Sequence, residues 1–383
     1  SDILLSLRQS NPLNVTIMIV GIPKERVIKA FNHEETDRPP FQATFTPEFA
    51  ERLRKEFKLP EMFTEPHHRQ WYGYDLEILT GQDALQAGVG WFTNYYLKKE
   101  AYTDEWGVKW KIDPYATPFG IGHYTNIETN PLRDNDEAAI SYKAPDPDRP
   151  ELYTHVERLI KEYGSEYFII GRIHCTIFES AWALRGLDTL MTDFYINPDL
   201  TNHLLDETCN YHKAVACNMA RLGVDMIWLG DDMGAQSSLM IDPELWREYF
   251  KPRMASIIQA AKSINPKLKV AYHTDGCNYD IIPELIEIGL DVLNPIQTEC
   301  MDPEILQKKY GEQLCFFGGI AVQSTLPMGT AEEIRKEYQW LKNSIGKNGG
   351  WLCAPTHHVQ LDTPIENFFA MLQAIGIPDN RRR

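Results

Sequence analysis

Short apolar segments alternate with amphipathic segments from about residue 150 onward. The apolar segments are rich in β-branched and aromatic residues, which is typical of strands that are buried on both faces of a sheet. They lie at residues 167–171, 226–230, 268–273, 290–295, 314–318 and 350–354. With a similar segment at 40–45, the pattern predicts seven strands, and an eighth is expected within a helix-rich stretch.

The segments between these strands carry signals for helix boundaries. Asp242 is placed to cap one helix, and Thr330 with Glu333 has the spacing of a capping box at the start of another. Gly289 follows a third helical pattern, and a further helix is predicted at 47–58. Strands that alternate with helices in this way pair in parallel, because each helix returns the chain across the sheet.

Two architectures accommodate this order, a closed (β/α)8 barrel of the TIM type and an open doubly wound sheet. The sequence contains neither Gly-x-Gly-x-x-Gly after a strand nor Gly-x-x-x-x-Gly-Lys-[Ser/Thr], the usual phosphate-binding marks of the open sheet. We therefore expect an α/β protein with a single barrel domain at 21–375. An aromatic, turn-rich insertion at about 60–150 follows the first strand and helix, and 1–20 and 376–383 are expected to be tails.

Composition and charge exclude several classes of function. The chain has 383 residues and a formal net charge of −16, so it has no electrostatic incentive to bind nucleic acid. No stretch of about 18 apolar residues could span a bilayer, and the apolar segment at 15–20 is too short for a signal peptide. The seven cysteines lack the dense spacing of a disulfide scaffold, and we expect reduced thiols in the cytoplasm.

Polar side chains follow almost every predicted strand. A barrel carries its reactive residues at the carboxyl ends of its strands, so these side chains should meet at one mouth and form an enzyme's active site. The candidates are Arg172, Asp231, Asp232, Gln236, His273, Asp275, Cys277, Asn294, Gln297, Gln323, Cys353 and His357.

A zinc site is the most specific hypothesis within this group. His273 and Asp275 are two residues apart and can point to the same side of an extended segment. Cys277 nearby, and Cys353 or His357 at the last strand, are the further candidate ligands. The alternative is a hydrogen-bonded neutral imidazole among packed thiols.

The remaining candidates are acid–base and substrate-binding groups. Asp231 and Asp232 are adjacent, and alternation sends one into the mouth as an acid or base and the other to a helix N-terminus or loop amide. Arg172 is either an anion clamp or part of a salt bridge. Gln236, Asn294, Gln297 and Gln323 either hold a polar substrate or satisfy loop backbone.

The chain resembles the uroporphyrinogen decarboxylase superfamily, which includes the corrinoid-dependent methyltransferases. The resemblance covers roughly residues 22–375 in the family's order and implies a TIM-type barrel. It is carried by Lys-Glu-Arg-Val at 24–27, Asp-Arg-Pro-Pro at 37–40, Gly-Asp-Asp-Met-Gly-Ala-Gln at 230–236, Phe-Lys-Pro-Arg at 250–253, His-Thr-Asp-Gly at 273–276, Leu-Asn-Pro-Ile-Gln at 293–297, Phe-Gly-Gly-Ile at 317–320, Ala-Pro-Thr-His-His-Val-Gln at 354–360 and Thr-Pro-Ile-Glu-Asn at 363–367.

The two branches of the family differ at identifiable positions. The decarboxylases carry an arginine-rich stretch early in the chain, whereas residues 40–47 here contain no arginine; Asp75 lies roughly where that branch has its catalytic Asp. The methyltransferases bind zinc through His-x-Cys and a later Cys, where this chain has His273, Asp275 and His357. Two imidazoles and a carboxylate favour oxygen chemistry over thiolate chemistry.

The resemblance therefore implies a methyltransferase that moves a methyl group between a small substrate and cobalamin held by a separate corrinoid protein. Its site would contain zinc at His273, Asp275 and His357, with Asp232 as acid or base. A homodimer is compatible with this interpretation. The alternatives are a decarboxylase that uses Asp75 or Asp232, and a metal-free binding subunit without turnover.

Overall fold

The computed structural model of the chain describes residues 3–6, 16–19, 21–60, 74–89 and 100–382. Its strands are β1 (Ile3–Ser6), β2 (Thr16–Ile19), β3 (Ala84–Gly88), β4 (Tyr102–Thr103), β5 (Lys109–Thr117), β6 (Gly120–Thr129), β7 (Phe168–Ile173), β8 (Met226–Gly230), β9 (Lys269–His273), β10 (Val292–Asn294), β11 (Cys315–Ile320) and β12 (Trp351–Pro355).

The helices lie mainly between the strands of the second half. They are α1 (Pro23–Phe31), α2 (Pro47–Glu56), α3 (Asp75–Leu79), α4 (Asp136–Ile140), α5 (Thr154–Tyr163), α6 (Phe178–Arg185), α7 (Leu187–Ile196), α8 (Pro198–Leu222), α9 (Pro243–Leu245), α10 (Lys251–Ile264), α11 (Ile282–Glu287), α12 (Pro303–Tyr310), α13 (Thr325–Met328), α14 (Ala331–Asn343) and α15 (Ile365–Ile375). No helix within the described ranges has a stretch that is long and apolar enough to cross a bilayer.

Seven strands form one curled parallel sheet in the order β12-β11-β10-β9-β8-β7-β3. Six of them are the strands that the apolar segments from 167 to 354 predict, and most of their residues are buried on both faces. His273 lies in register with Gly230 on one side and with Asn294 on the other. The register therefore brings the ends of three neighbouring strands to the same height.

The first part of the chain differs from the sequence-based expectation. The segment at 40–45 makes only single parallel bridges, Phe41 to Cys353 and Phe45 to Val359. The remaining sheet strand is β3, within the stretch that was assigned to the insertion. Its sequence, Ala-Leu-Gln-Ala-Gly, contains no β-branched or aromatic residue, so the pattern gave no strand signal there.

Residues 40–42 connect the two edges of the sheet. The Gln42 amide donates to the carbonyl of Cys353 on β12 at 3.1 Å, and the Cys353 amide donates to the carbonyl of Pro40 at 2.9 Å. On the other side, the Asp83 amide, just before β3, donates to the Phe41 carbonyl at 2.8 Å. The chain therefore satisfies backbone groups that would otherwise be unpaired at both edges.

The buried carboxylate of Asp83 fixes this connection. It accepts from the Phe41 amide at 2.8 Å, from Arg38 at 2.7 Å, and from Arg26. Arg26 also bonds Asp37 at 2.7 Å. Two of the family motifs, at 24–27 and 37–40, thus have a structural role: they supply the cations that a buried carboxylate requires.

The stretch at 100–130 forms a separate antiparallel sheet of β4, β5 and β6. Asp104 organises its first turn, because its carboxylate accepts from the amides of Trp106 and Val108 at 2.9 Å and from the Trp110 indole at 2.8 Å. Both Trp side chains are buried. The aromatic pieces predicted at 71–73 and 91–96 lie outside the described residues.

The helix signals are confirmed at both capped ends. The Asp242 side chain accepts from the Glu244 amide, and Thr330 forms a complete capping box with Glu333. The first of these helices continues through a π-helical turn, Trp246–Phe250, into α10.

Residues 376–382, which lie in the segment expected to be a tail, contact the rest of the chain. Ile377 is buried, the Asn380 side chain donates to the Leu79 carbonyl at 2.9 Å, and the Arg381 guanidinium lies 3.6 Å from the centre of the Phe369 ring. Apolar and cation–π contacts hold this segment on the domain. Near the other end, β1 and β2 pair antiparallel within 1–20.

We expect Asp83→Ala to lower the free energy of unfolding by about 3–5 kcal/mol, because it removes the buried carboxylate that Arg26 and the partly buried Arg38 share. Asp83→Asn should cost less, since an amide oxygen still accepts hydrogen bonds. Urea denaturation followed by circular dichroism measures both effects. The control is Glu332→Ala, which removes an exposed ion pair with Lys336 and should leave the denaturation midpoint nearly unchanged. Equal midpoints for Asp83→Ala and the control would contradict the assignment.

Candidate active site

A cleft of about 190 Å³, partly open to solvent, lies at the carboxyl ends of the sheet strands. All seven strands of the sheet contribute lining residues, directly or through the loops that follow them, together with residues 42 and 44 and Tyr124 of β6. The lining residues are Gln42, Thr44, Gln86, Tyr124, Arg172, His174, Cys175, Glu179, Trp228, Gly230, Asp232, His273, Asn294, Phe317, Pro355, Thr356, His357 and His358. The sheet thus gathers polar groups that are far apart in sequence, as expected for parallel strands.

Three candidate metal ligands meet in this cleft. One ligand atom each of His273, Asp275 and His357 lies within 4.8 Å of the other two. His273 Nε2 is 3.5 Å from Asp275 Oδ1 and 3.7 Å from Asp232 Oδ1. Two imidazoles and a carboxylate at this separation match the nitrogen and oxygen donors of catalytic zinc sites, which leave a further position open.

The two cysteines that the sequence offered as ligands do not belong to this cluster. Cys353 lies on β12 with its side chain fully buried in the hydrophobic core, and burial raises the pKa of its thiol well above the usual range. Cys277 follows Gly276, and its amide donates to the Ala235 carbonyl at 2.8 Å. Side chains alternate between the two faces of β12, and Cys353 lies on the face that is turned away from the mouth.

One amide side chain determines which nitrogen of His273 faces the other ligands. Asn294 Nδ2 donates to the Phe317 carbonyl at 2.9 Å, and Asn294 Oδ1 accepts from the Trp228 indole at 2.8 Å. The same Oδ1 lies 2.7 Å from His273 Nδ1, which must therefore carry the hydrogen. His273 Nε2 is left with a lone pair directed at Asp275 and Asp232. An outer hydrogen bond of this kind orients histidine ligands in metal sites.

Two glycines allow the loops after β8 and β9 to approach each other. A Cβ on Gly234 would lie 2.3 Å from the Asp275 carbonyl oxygen, and one on Gly276, whose φ is +82°, would lie 2.5 Å from the Ala235 carbonyl oxygen. Because neither clash arises, the Asp275 amide reaches Asp232 Oδ1 at 2.9 Å. Both glycines belong to motifs of the family resemblance.

Two histidines of the cleft, His357 and His174, have pKa values below the usual range. Loss of solvation, together with the nearby His273 and Arg172, lowers the pKa of His357 to about 4. The His357 side chain is exposed to solvent on the side of the cleft. Burial, followed by the Arg172 charge and the other histidines, lowers the pKa of His174 well below its usual value. Neutral imidazoles offer lone pairs to a metal ion.

The adjacent carboxylates Asp231 and Asp232 divide between two roles. Asp231 is fully buried and accepts from the Ile177 and Glu179 amides at 2.9 Å, so it caps α6. Burial raises its pKa to about 7, although these hydrogen bonds oppose the shift. Asp232 faces the cleft, and burial followed by the nearby Asp275 raises its pKa.

The other candidates occupy different positions. Arg172 and Asn294 line the cleft, whereas Gln297 accepts from the Gly276 amide at 2.9 Å and donates to Gln323 at 3.3 Å. Gln297 therefore supports the loop that carries Asp275. Gln236 donates to the Glu299 carbonyl at 3.3 Å.

Asp75 does not contribute to the cleft lining. It lies at the start of α3 and forms an ion pair with Arg54 at 2.9 Å.

The strand-end pattern after β7 includes His174 but assigns it no role, and it does not indicate Glu179, which also lines the cleft. Glu179 lies in the first turn of a helix, where the sequence carries no such signal. Cys175 between them has φ of +51°, which is uncommon for a residue other than glycine and turns the chain sharply from β7 towards α6.

Comparison with known proteins places the chain in a family. A family model described as uroporphyrinogen decarboxylase (URO-D) matches residues 121–376. The chain belongs to the uroporphyrinogen decarboxylase family. This confirms the resemblance seen in the sequence motifs.

The structure is similar to that of a methyltransferase from Methanosarcina mazei, with a TM-score of 0.69 and 18% sequence identity over 93% of this chain and 99% of the other. It is also similar to a B12-independent methionine synthase from Shewanella sp. W3-18-1 at a TM-score of 0.47 and 10% identity, over 81% and 85% of the two chains, which is too weak to bear on function. No curated protein sequence matches the chain significantly.

We expect the URO-D family protein to bind about one zinc ion per chain, as a site with two imidazoles and a carboxylate should. His273→Ala should remove most of the metal, measured by atomic emission after dialysis. Cys353→Ala, in the core, and His123→Ala, on the exposed face of β6, should retain it. Loss of zinc in Cys353→Ala with retention in His273→Ala would contradict this ligand set.

Asn294→Leu should weaken zinc binding about 10- to 100-fold, because His273 then loses the partner that fixes its tautomer. Asn294→Asp keeps an oxygen acceptor for His273 Nδ1 and should bind zinc more tightly than the leucine variant. Competition with a chromophoric chelator measures both constants. Equal zinc affinities of the two variants would show that the hydrogen bond to His273 Nδ1 does not contribute to zinc binding.

Proposed function

We propose that the protein is a methyltransferase of the URO-D-like family that moves a methyl group between a small methylated substrate and cobalamin held by a partner corrinoid protein. Zinc would be bound by His273, Asp275 and His357. The observation that carries the proposal is the lone pair of His273 Nε2, which Asn294 directs towards Asp275 within the cleft. Family membership and the fold shared with a methyltransferase support the same branch.

The residues of the cluster fit a catalytic zinc ion. They supply two neutral nitrogen donors and one oxygen donor, and their ligand atoms are close enough to share one ion. When bound, zinc would act as a Lewis acid that polarises the atom from which the methyl group departs. Nitrogen and oxygen ligands without thiolate leave the ion harder, which favours an oxygen atom at that position.

The chain's own residues then position the substrate. Trp228 and Phe317 supply apolar surface and Arg172 supplies a positive charge to the same cleft. Asp232 accepts from the Asp275 amide and so holds the ligand loop, and it is the candidate base or acid beside His273. Tyr124 brings the antiparallel sheet to the edge of the cleft, where a partner's corrinoid would enter.

We also propose that the parallel sheet closes into a complete barrel. Residues 40–45 would take the eighth place in a closed (β/α)8 barrel, since residues 40–42 bond to both edges of the parallel sheet. Residues 21–375 would form one domain, with the antiparallel sheet as part of an insertion over the mouth.

The cellular setting is also proposed. All seven cysteines are free thiols, which fits a reducing cytoplasm. The acidic charge disfavours nucleic acid as a partner.

The decarboxylase alternative has less support. Its candidate Asp75 is paired with Arg54 and does not contribute to the described lining of the cleft. A non-catalytic subunit would have no need for an oriented histidine beside neutral imidazoles.

The test is methylation of free reduced cobalamin by the zinc-loaded protein, followed by its visible absorbance, with a panel of small methyl ethers and methylamines. We expect turnover with at least one donor and a loss of about 100-fold or more in His273→Ala, since the variant lacks Lewis-acid activation. His123→Ala should behave like the wild type.

Two results would overturn the proposal. One is release of carbon dioxide from a carboxylated substrate without any corrinoid. The other is full methyl transfer by protein from which zinc has been removed.

A further inference from the structure

Glu179 lies in the first turn of α6 and contributes to the lining of the cleft. Its backbone is fixed by its amide, which donates to Asp231 Oδ1 at 2.9 Å. The preceding turn is fixed as well, because the Ser180 hydroxyl donates to the Cys175 carbonyl and the Thr176 amide donates to the Gly230 carbonyl at 2.7 Å. The backbone from which this carboxyl group extends is thus held by contacts with the loop after β8 and with the preceding turn.

The groups that face Glu179 are acidic or neutral. The Cys175 thiol comes from its own segment, Asp231 and Asp232 come from the loop after β8, and the Tyr272 phenol comes from β9. The Asp232 amide and the Cys175 thiol lie beside the Glu179 carboxyl group and partly oppose the rise of its pKa. Three carboxyl groups therefore share one partly desolvated corner of the cleft. Because their negative charges repel one another, the three groups cannot all be ionised at once.

Burial, followed by the charges of Asp232 and Asp231, raises the pKa of Glu179 well above its usual value. This shift favours the protonated form of the Glu179 carboxyl group. The other two carboxyl groups are committed elsewhere: Asp231 caps α6, and Asp232 accepts from the Asp275 amide beside the candidate metal site. Glu179 is the member of the trio that can release a proton into the cleft without losing such a contact.

We propose that Glu179 is the general acid of the reaction, and that the substrate class is a methyl ether whose departing oxygen receives the Glu179 proton. This inference rests on the proposed methyltransferase function and adds the proton donor and the substrate class to it. A methyl ether requires such a donor, because an alkoxide or phenoxide is a poor leaving group when it departs unprotonated.

The proposed reaction transfers one methyl group and one proton. An electron pair of the reduced corrinoid, the methyl acceptor, forms the new bond to the methyl carbon. The carbon–oxygen bond breaks with both of its electrons on oxygen, and the Glu179 proton moves to that oxygen. The products are an alcohol or phenol, the methylated corrinoid and the Glu179 carboxylate, which is reprotonated from solvent through the open cleft.

The first test compares Glu179→Gln with the wild type on two aryl methyl ethers and free reduced cobalamin. With methoxybenzene, whose phenol is a weak acid, we expect a loss of about 10²- to 10⁴-fold in kcat. With 4-nitromethoxybenzene, whose phenol is far more acidic, the loss should be much smaller because that leaving group needs little protonation. Glutamine keeps the size of the side chain, and the zinc content should be unchanged.

The second test needs no turnover. Infrared difference spectra of protein labelled with ¹³C-glutamate should show carbonyl absorption of protonated carboxyl groups at neutral pH. Burial raises the pKa of Glu337 to about 7, so this residue contributes to the absorption, and the part that disappears in Glu179→Gln is assigned to Glu179. The matched control is Glu137→Gln on the exposed surface of α4, which should keep this absorption.

The outcomes separate the two proposals. An equal loss on both ethers in Glu179→Gln, or carbonyl absorption that this variant leaves unchanged in intensity, would overturn the role of Glu179 while the methyltransferase function stands. A wild type that transfers no methyl group from any donor would overturn the methyltransferase function and the role of Glu179 with it.

Discussion

The parallel arrangement of seven strands is the constraint on which the candidate site depends. Parallel strands all end at the same rim, so residues separated by almost 200 positions in the chain, such as Arg172 and His357, line one cleft. The sheet stays curled because residues 40–42 bond to both of its edges and Asp83 neutralises the two arginines beneath them. The ion pairs of Asp83 thus help to keep the side chains that line the cleft close to one another.

Within the cleft, one neutral side chain organises the chemistry. Asn294 has a donor that is taken by the Phe317 carbonyl and an acceptor that is shared by Trp228 and His273. Because the indole can only donate, the amide has one possible orientation, and the histidine has one possible tautomer. A side chain outside the candidate ligand set therefore decides which nitrogen of His273 faces Asp275.

Burial gives neighbouring carboxyl groups different properties. Asp231, Asp232 and Glu179 occupy one corner. Asp231 accepts from helix amides and Asp232 accepts from a loop amide next to His273, whereas the Glu179 carboxyl group faces the cleft beside the Cys175 thiol. The same desolvation raises the pKa of each acid and lowers that of His174 and His357, so acids tend to keep protons while imidazoles tend to lack them. Such a division suits a reaction that must deliver a proton beside a Lewis acid.

The sequence by itself determined six sheet strands, the capped helices and the family, because strand and cap signals are local and survive without tertiary context. It could not identify β3, whose small residues resemble a loop, or Glu179, whose helical position carries no strand-end signal. It also left open whether Cys353 or His357 joins His273 and Asp275. Tertiary structure brought His357 to that pair and buried Cys353 in the core, since only the curvature of the folded sheet determines which side of its last strand faces the mouth.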